Sequence, residues 1–516
     1  MKTLRSILLS AVCLTTLLHT SCSEEFLDLP LRNNLTDDNY FTEPEHFEKA
    51  ILSAYEILRW PQLYGLHFWY VYSHMSDNTK GEFPNYDRLE YNARDGSISE
   101  IYRGIYVGIF RTNLVLGRIE DVAMDEDLKQ RIIAEAKVLR AIYYWHAANV
   151  FGISPLILRE LAADEGAQPN SSPQAMYDQM VVDLTEALQA NLLPDKGEME
   201  IGRMTEWAAR AFLGKVYLCR GSQFSAEYPG DFAAAAEQFE LVINSGRYSL
   251  IRPSGADGEP SYEDYVNAYQ SIFSPSGQNN NSESLFEIQH GSWTNGNAGG
   301  PFLGWMSNVS SRPNYLNFAP GGFDNMNPSQ ELVDAYEEED PRLEVTVWQE
   351  GDILESRPDR SNNSFYLAPF EPSLTKWSNY AIKKDLFPIR YTAVPNDPNN
   401  WRFLRYSDVL LMYAEVIVLA GQDESRAFDL VNQVRDRVGL SPLTGDIRTA
   451  IMTERRREFA FEAKRIHDLQ RYERNGWINS VTDFLPFYRK ERHETLPLPQ
   501  REIDLAGGIL VQRPGY

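Results

Sequence analysis

Leu213-Gly214-Lys215-Val216-Tyr217 is followed, after a loop lengthened by Gln223 to Gly230, by Ala235-Ala236-Glu237-Gln238-Phe239. Apolar residues recur at three- and four-residue spacing across 204–220 and 231–245, so both stretches read as helices with one buried stripe. Gly214 and Ala235 are small and let two helices approach, while Tyr217 and Phe239 are large enough to fill the space between neighbours. The two segments therefore predict a packed helix pair.

The pattern returns elsewhere. Leu411, Ala414 and Ile417 precede Ala427 and Val431, and Arg140-Ala141-x-x-Tyr144 precedes a helix opened by Pro173. Leu-small-x-x-Tyr followed by Ala-x-x-x-Phe is the spacing of tetratricopeptide repeats, and three pairs of comparable size predict a mainly α chain built as a helical-repeat solenoid. The remaining periodic stretches agree. Phe47, Ala50, Ile51, Ala54, Tyr55 and Leu58 predict a helix from Glu45 that Pro61 stops; others are expected over 99–119, 128–150, 173 to near 194, 403–420, 425–438 and 451–474.

Between Tyr248 and Trp401 the character changes. Pro275-Ser276-Gly277, Asn279-Asn280-Asn281, Gly299-Gly300-Pro301 and Pro320-Gly321-Gly322 are turn formers, with a strand expected at 285–288 and one helix at 329–336. A loop-rich, partly irregular insert on a rigid helical scaffold is where binding residues tend to lie. The chain accordingly divides into a signal peptide (1–21), a tether (22–44), an N-terminal helical region (45–247), the insert (248–400) and a C-terminal helical region (401–516).

Lys2, Arg5 and the apolar run Ile7 to Leu18 read as an export signal, too short to span a membrane. Cys22 after Thr20 and Ser21 is the expected lipidation site, although His19 stands where an aliphatic residue is usual. The membrane attachment expected is thus by lipid alone. Of the three cysteines, Cys13 leaves with the signal and Cys219 remains, expected as a packed core residue; no CxxC pair exists for zinc or redox work. The net charge of −24 argues against nucleic acid and against a basic face on anionic lipid, and suits neutral ligands.

The order of segments resembles the SusD/RagB family of outer-membrane nutrient-binding lipoproteins almost end to end. The residues carrying the likeness are Cys22 to Asp28, Glu135 to Tyr144, Phe151-Gly152-x-x-Pro155, Glu283 to Ile288, Arg405 to Glu415, Glu454 to Glu462, Leu496 to Ile503 and Gln512 to Tyr516. The resemblance implies a mostly helical protein with four tetratricopeptide-like pairs. It implies a partner, a SusC-like TonB-dependent transporter barrel, a glycan ligand, and display on the outer face, for which Glu24 and Glu25 look like the signal.

Glycans offer hydroxyl rims and flat C–H faces, so a binder needs exposed aromatic rings beside amides, carboxylates or guanidinium groups. Two clusters have that composition without helical or alternating period. The first is Asp77, Asn78, Phe83, Asn85, Tyr86, Arg88, Tyr91 and Asn92, a stretch that the resemblance places near the ligand face. The second is Trp293, Asn295, Asn297, Trp305, Asn308, Arg312 and Tyr315. Asn362, Phe365, Tyr366 and Trp377 form a weaker third group. Glu454-Arg455-Arg456-Arg457-Glu458, on a helix, is expected to make buried or bridging ion pairs, and Glu337-Glu338-Glu339-Asp340 reads as a solvated helix end without EF-hand spacing.

No GxSxG, HExxH or P-loop occurs, and His467 and His493 lack a companion nucleophile. No catalytic residue, metal or cofactor is expected. The sequence reads as a glycan-capturing surface protein serving an importer; peptide capture, as in RagB-like members, and a ligand-free adaptor of the transporter are the alternatives.

Overall fold

The computed structural model describes residues 40–81, 84–162, 164–254, 258–273, 281–290, 326–356, 366–372, 378–384 and 400–516. Among them the longer helices are α1 (Pro44–Arg59), α2 (His67–His74), α3 (Gly96–Arg118), α4 (Glu126–His146), α5 (Pro173–Gln189), α6 (Glu206–Gln223), α7 (Asp231–Asn244), α8 (Tyr262–Ser271), α9 (Tyr406–Leu419), α10 (Glu424–Asp436), α11 (Ile447–Glu458) and α12 (Arg465–Arg474). A π turn, Ala147–Phe151, extends α4. Ends are capped by the expected chemistry: Asp95 accepts from Ser97 N at 2.9 Å to open α3, and Ser172 accepts from Ala175 N at 3.1 Å ahead of Pro173.

The architecture is mainly α-helical and repeat-like. Running along the stack, α1 lies on α3, α3 on α4, α4 on α5, α5 on α6, α6 on α7, α7 on α9 and α9 on α10. Close approach rests on small residues, as the spacing predicts. A Cβ at Gly214 would stand 2.7 Å from the Phe239 ring, so that ring occupies the space glycine leaves. At Gly108 of α3 a Cβ would come within 2.3 Å of Tyr143 of α4, whose hydroxyl donates to Ala54 O of α1 at 2.6 Å. One tyrosine thereby ties three helices.

Strands are short and paired in twos. β1 (Thr79–Gly81) runs antiparallel to β3 (Met326–Pro328), β2 (Ser284–Ile288) to β8 (Trp401–Arg405), β4 (Val347–Trp348) to β7 (Ala381–Ile382), and β5 (Ile353–Ser356) to β6 (Tyr366–Pro369). Three expectations need correction. Residues 401–405 are strand, because Phe403 and Leu404 pack as a β partner of 284–288 before α9 begins. The stretch expected as one helix over 451–474 is two, α11 and α12, broken where Phe461 (φ 63°) and Ala463 (φ 54°) turn left-handed. The helix expected over 329–336 shrinks to Gln330–Val333. Helices α2 and α8 were not expected: α2 buries Phe68, Trp69, Val71 and Tyr72 and so lacks a polar stripe, and α8 lies among the turn formers, opened by a Ser261/Asp264 capping box.

The break between α11 and α12 aims carboxylates at arginines. Glu458 accepts from Arg437 Nη2 at 2.7 Å and Arg405 Nη1 at 2.8 Å, with Arg342 Nη1 at 3.3 Å. Glu283, ahead of β2, accepts from Arg437 at 2.7 Å; Glu462, in the turn, accepts from Arg405 and Lys384 at 2.8 and 2.7 Å. Glu454 takes Arg342 at 2.6 Å, and Asp340 takes it at 2.8 Å. Arg342, Arg405, Arg437, Glu283, Glu454 and Glu458 have no exposed surface. The expected bridging role of 454–458 is what the structure contains. The run 337–340 is not simply a solvated end: Glu337 holds Arg435 and Arg457, and Asp340 is buried on Arg342, while Glu338 and Glu339 are exposed.

Burial works to raise the Glu458 carboxyl, but Arg437, Arg405 and Arg342 outweigh it and hold it well below the usual range. The same contest leaves Glu462 and Asp468 at about 2. Depressed carboxylates contribute stability that is complete above their ordinary value and is lost as pH falls through the folded one. Stability should therefore decline below about pH 4.5 towards pH 2, seen as a falling urea midpoint. Glu458→Gln at neutral pH removes a negative charge shared by three buried guanidinium groups and should cost roughly 3–5 kcal/mol by the same titration.

Candidate ligand-binding site

The first candidate cluster follows α2, and most of it turns inward. Asp77 receives Arg465 through two bonds, at 2.7 and 2.9 Å, and lies 3.0 Å from Arg456. Burial opposes its charge, yet the two arginines keep it below its ordinary value. Asn78 is buried and accepts from Arg456 Nε at 2.9 Å. Tyr86 is 3% exposed and donates to Asp95, the cap of α3, at 2.5 Å; Tyr91 is 0% exposed and stacks on Tyr516 at 6.3 Å. These four were expected on a ligand face, and the structure corrects that: Asn78, Tyr86 and Tyr91 are buried, and the Asp77 carboxylate is taken up by two arginines. Their function is to join the segment to the C-terminal tail, where Arg492 donates to Tyr91 O and Gln500 N to Ala93 O. Except for Asp95, which caps the Tyr86 hydroxyl locally, the partners lie nearly 400 residues away, which is why local composition gave a loop and not a core.

Asn85, Arg88 and Asn92 remain exposed. Trp293, Asn295, Asn297, Trp305, Asn308, Arg312 and Tyr315 lie outside the described residues, as do Phe83, Asn362, Phe365 and Trp377. Their flanks are described. At the near end His290 N donates to Asn400 Oδ1 at 2.9 Å, and the same amide donates to Glu287 and Gln289 at 2.9 and 3.0 Å. At the far end Met326, fully buried, begins β3, whose register sets Thr79 opposite Pro328, Lys80 opposite Asn327 and Gly81 opposite Met326. Ser329 continues the join, its N donating to Asn78 O at 2.9 Å and its hydroxyl to Asp77 O at 2.7 Å. The stretch after Asn78 and the return of the second cluster therefore meet in one pair of strands.

Two further aromatics belong to this patch and were not singled out from the sequence. β3 adjoins β7, which pairs with β4. Trp348 of β4 is half-buried with Lys383 Nζ 4.5 Å from its ring centre, and Tyr380 donates to Gln330 at 2.9 Å. Each stands alone in sequence among unremarkable neighbours, so only strand pairing reveals them. Among the described residues no group of three His, Cys, Asp or Glu side chains has metal-holding geometry, and no helix is long and apolar enough to cross a membrane. Cys219 is half-buried against the core, and burial pushes its thiol up.

Residues 269–516 match the family model described as SusD family, and residues 36–218 match one described as starch-binding associating with outer membrane. A SusD-like protein of Bacteroides ovatus is 25% identical, covering 98% of this chain and 91% of its own. A SusD-like protein from Bacteroides fragilis superposes with a TM-score of 0.73 at 22% identity, over 93% of this chain and 99% of that one. A laminarin-binding SusD-like protein of known structure superposes with a TM-score of 0.67 at 26% identity, over 92% of this chain and 100% of that one.

Removing Asp77 leaves Arg465 and Arg456 buried without a counter-charge, so Asp77→Ala should destabilise by about 3–5 kcal/mol. Tyr86→Phe removes one charge-assisted hydrogen bond and should cost about 1.5–3 kcal/mol. Both are read from denaturant midpoints.

Proposed function

The chain belongs to the SusD/RagB family of outer-membrane nutrient-binding proteins, and from that premise we propose that it captures oligo- or polysaccharide at the cell surface and hands it to a SusC-like TonB-dependent transporter. The family's fold and relatives are those of non-catalytic binding proteins. Delivery thus requires no bond to be broken, only capture and release. In this reading the protein is a lipoprotein attached through Cys22 after removal of residues 1–21, displayed outward, with its helix pairs forming a tetratricopeptide-like solenoid and the 248–400 insert carrying the ligand.

The observation that carries the proposal is the β1–β3 pairing. It sets Met326–Pro328, the first described residues after the Trp293–Tyr315 stretch, against Thr79–Gly81, which lie a few residues ahead of exposed Asn85 and Arg88. Support for a sugar comes from two similar structures, one titled laminarin-binding and one, at 22% identity and a TM-score of 0.68, a surface glycan-binding protein of Bacteroides thetaiotaomicron in complex with laminarihexaose. Site residues in this reading are Arg88, Trp293, Asn295, Trp305, Asn308, Arg312 and Tyr315, with Trp348 and Tyr380 as further platforms. Ring stacking would supply the anchors and amide or guanidinium groups the hydroxyl contacts.

Affinity gel electrophoresis against laminarin and a polysaccharide panel should show retardation by at least one polymer. Trp293→Ala or Trp305→Ala should weaken it by about 30-fold, as an anchor ring worth about 2 kcal/mol would. Retardation that persists unchanged in the double variant removes the site assignment. Depletion of oligopeptides unaffected by added sugar would favour peptide capture, and copurification with a barrel without binding either would favour an adaptor.

A further inference from the structure

A second hollow lies where α4, α6, α9 and α12 converge, separate from the residues assigned to the glycan. It is small, with about 40 Å³ of room for water-sized groups, and opens to solvent. Five cations line it, and four are neutralised in place. Arg455 is held by Asp408 and Asp468 at 3.0 and 3.1 Å, Lys464 by Asp408 at 2.7 Å, Arg471 by Glu415 at 2.6 Å, and Arg474 by Glu494 at 3.0 Å.

Lys215 is the fifth. Among the described residues its ammonium has neither a carboxylate nor a hydrogen-bond acceptor. It stands over the rings of Trp145 and Phe403, 4.4 and 5.4 Å from their centres. Lys215 is half-buried: ring faces offset only part of its desolvation cost, and although Asp408 attracts it, Lys464 and Arg455 repel it. Burial pushes this lysine down to about 8, so it still carries its proton at neutral pH. Two other lining residues hold ring nitrogens without partners, Trp145 Nε1 and His467 Nε2. The hollow therefore has one positive charge more than its own side chains satisfy, while Leu218 and Met412 give it apolar walls.

We propose that this hollow binds a small organic monoanion, a carboxylate seated on Lys215 with its carbon part against Trp145, Leu218 and Met412. A single unpaired cation matches a single negative charge; a sulfate dianion would be left half-neutralised. The apolar walls favour an organic acid over a bare inorganic ion.

The test uses the folded mature chain, acetate and glucuronate as probes, and chloride at matched ionic strength as reference, read by thermal shift and calorimetry. Both carboxylates should raise the melting temperature saturably. Lys215→Met should weaken the apparent affinity about tenfold or more, yet melt no lower than the parent without anion, because it removes a half-buried charge that no carboxylate pairs. Lys215→Arg keeps the charge and should retain binding, which guards against a folding defect in the methionine variant. The proposal is overturned if neither carboxylate acts saturably, if Lys215→Met binds as the parent does, or if Lys215→Arg binds no better than Lys215→Met.

Discussion

Glu458 has no exposed surface and faces three guanidinium groups, from Arg437, Arg405 and Arg342. Each arginine reaches it from a different element: the end of α10, the join of β8 and α9, and the helix Pro341–Thr346. Desolvating so many charges is expensive, and only near-complete mutual pairing makes it tolerable. Such a cluster has one geometry that satisfies it, which makes it a specification of how the C-terminal helices dock and not simply a source of stability. The left-handed residues Phe461 and Ala463 follow from that constraint, since a continued helix would carry Glu462 away from Arg405 and Lys384.

From this cluster the constraint passes to the candidate site by short steps. Next to Glu458 in α11, Arg457 donates to Ala335 O and Arg456 to Asn78; Arg465, opening α12, clamps Asp77. Asp77 and Asn78 in turn hold Ser329, and so set the register of β1 on β3. At the other end Asn400, just ahead of β8, pins His290. Both flanks of the stretch bearing Trp293 and Trp305 are thereby fixed to the rigid body by buried polar contacts. Preorganisation of this kind lowers the ordering cost that any binding must meet.

How much of this was legible in the sequence depended on the range over which each partner acts. Periodicity located eight of the described helices singly, and α11 with α12 as one run, because the stripe that defines a helix is local, and Gly214 beside Phe239 gave the pairing through size alone. Residues 454–458 announced ion pairs because five charges on a mostly buried helix have few other uses. The first cluster misled for the converse reason. Tyr86 and Tyr91 sit on backbone without period; Tyr91 is covered by the tail 400 residues onward, and Tyr86 packs against Tyr91 and Tyr70, so nothing local marks either as core. Trp348 and Tyr380 were missed because only the β3–β7–β4 adjacency makes them neighbours of anything. Lys215 escaped as well, since the helical stripe in which it sits reads as packing.

The charge balance ties these parts together. The chain carries 73 acidic and 49 basic side chains, and many arginines are spent inside on buried carboxylates. What remains outside is richer in acid than the totals convey. Such a surface repels acidic polymers at range, so a ligand arriving from solution is best neutral, recognised by ring faces and hydroxyl contacts and not by charge. The charge on half-buried Lys215 is then conspicuous: of the five cations among the described residues lining this hollow, the other four each meet a carboxylate.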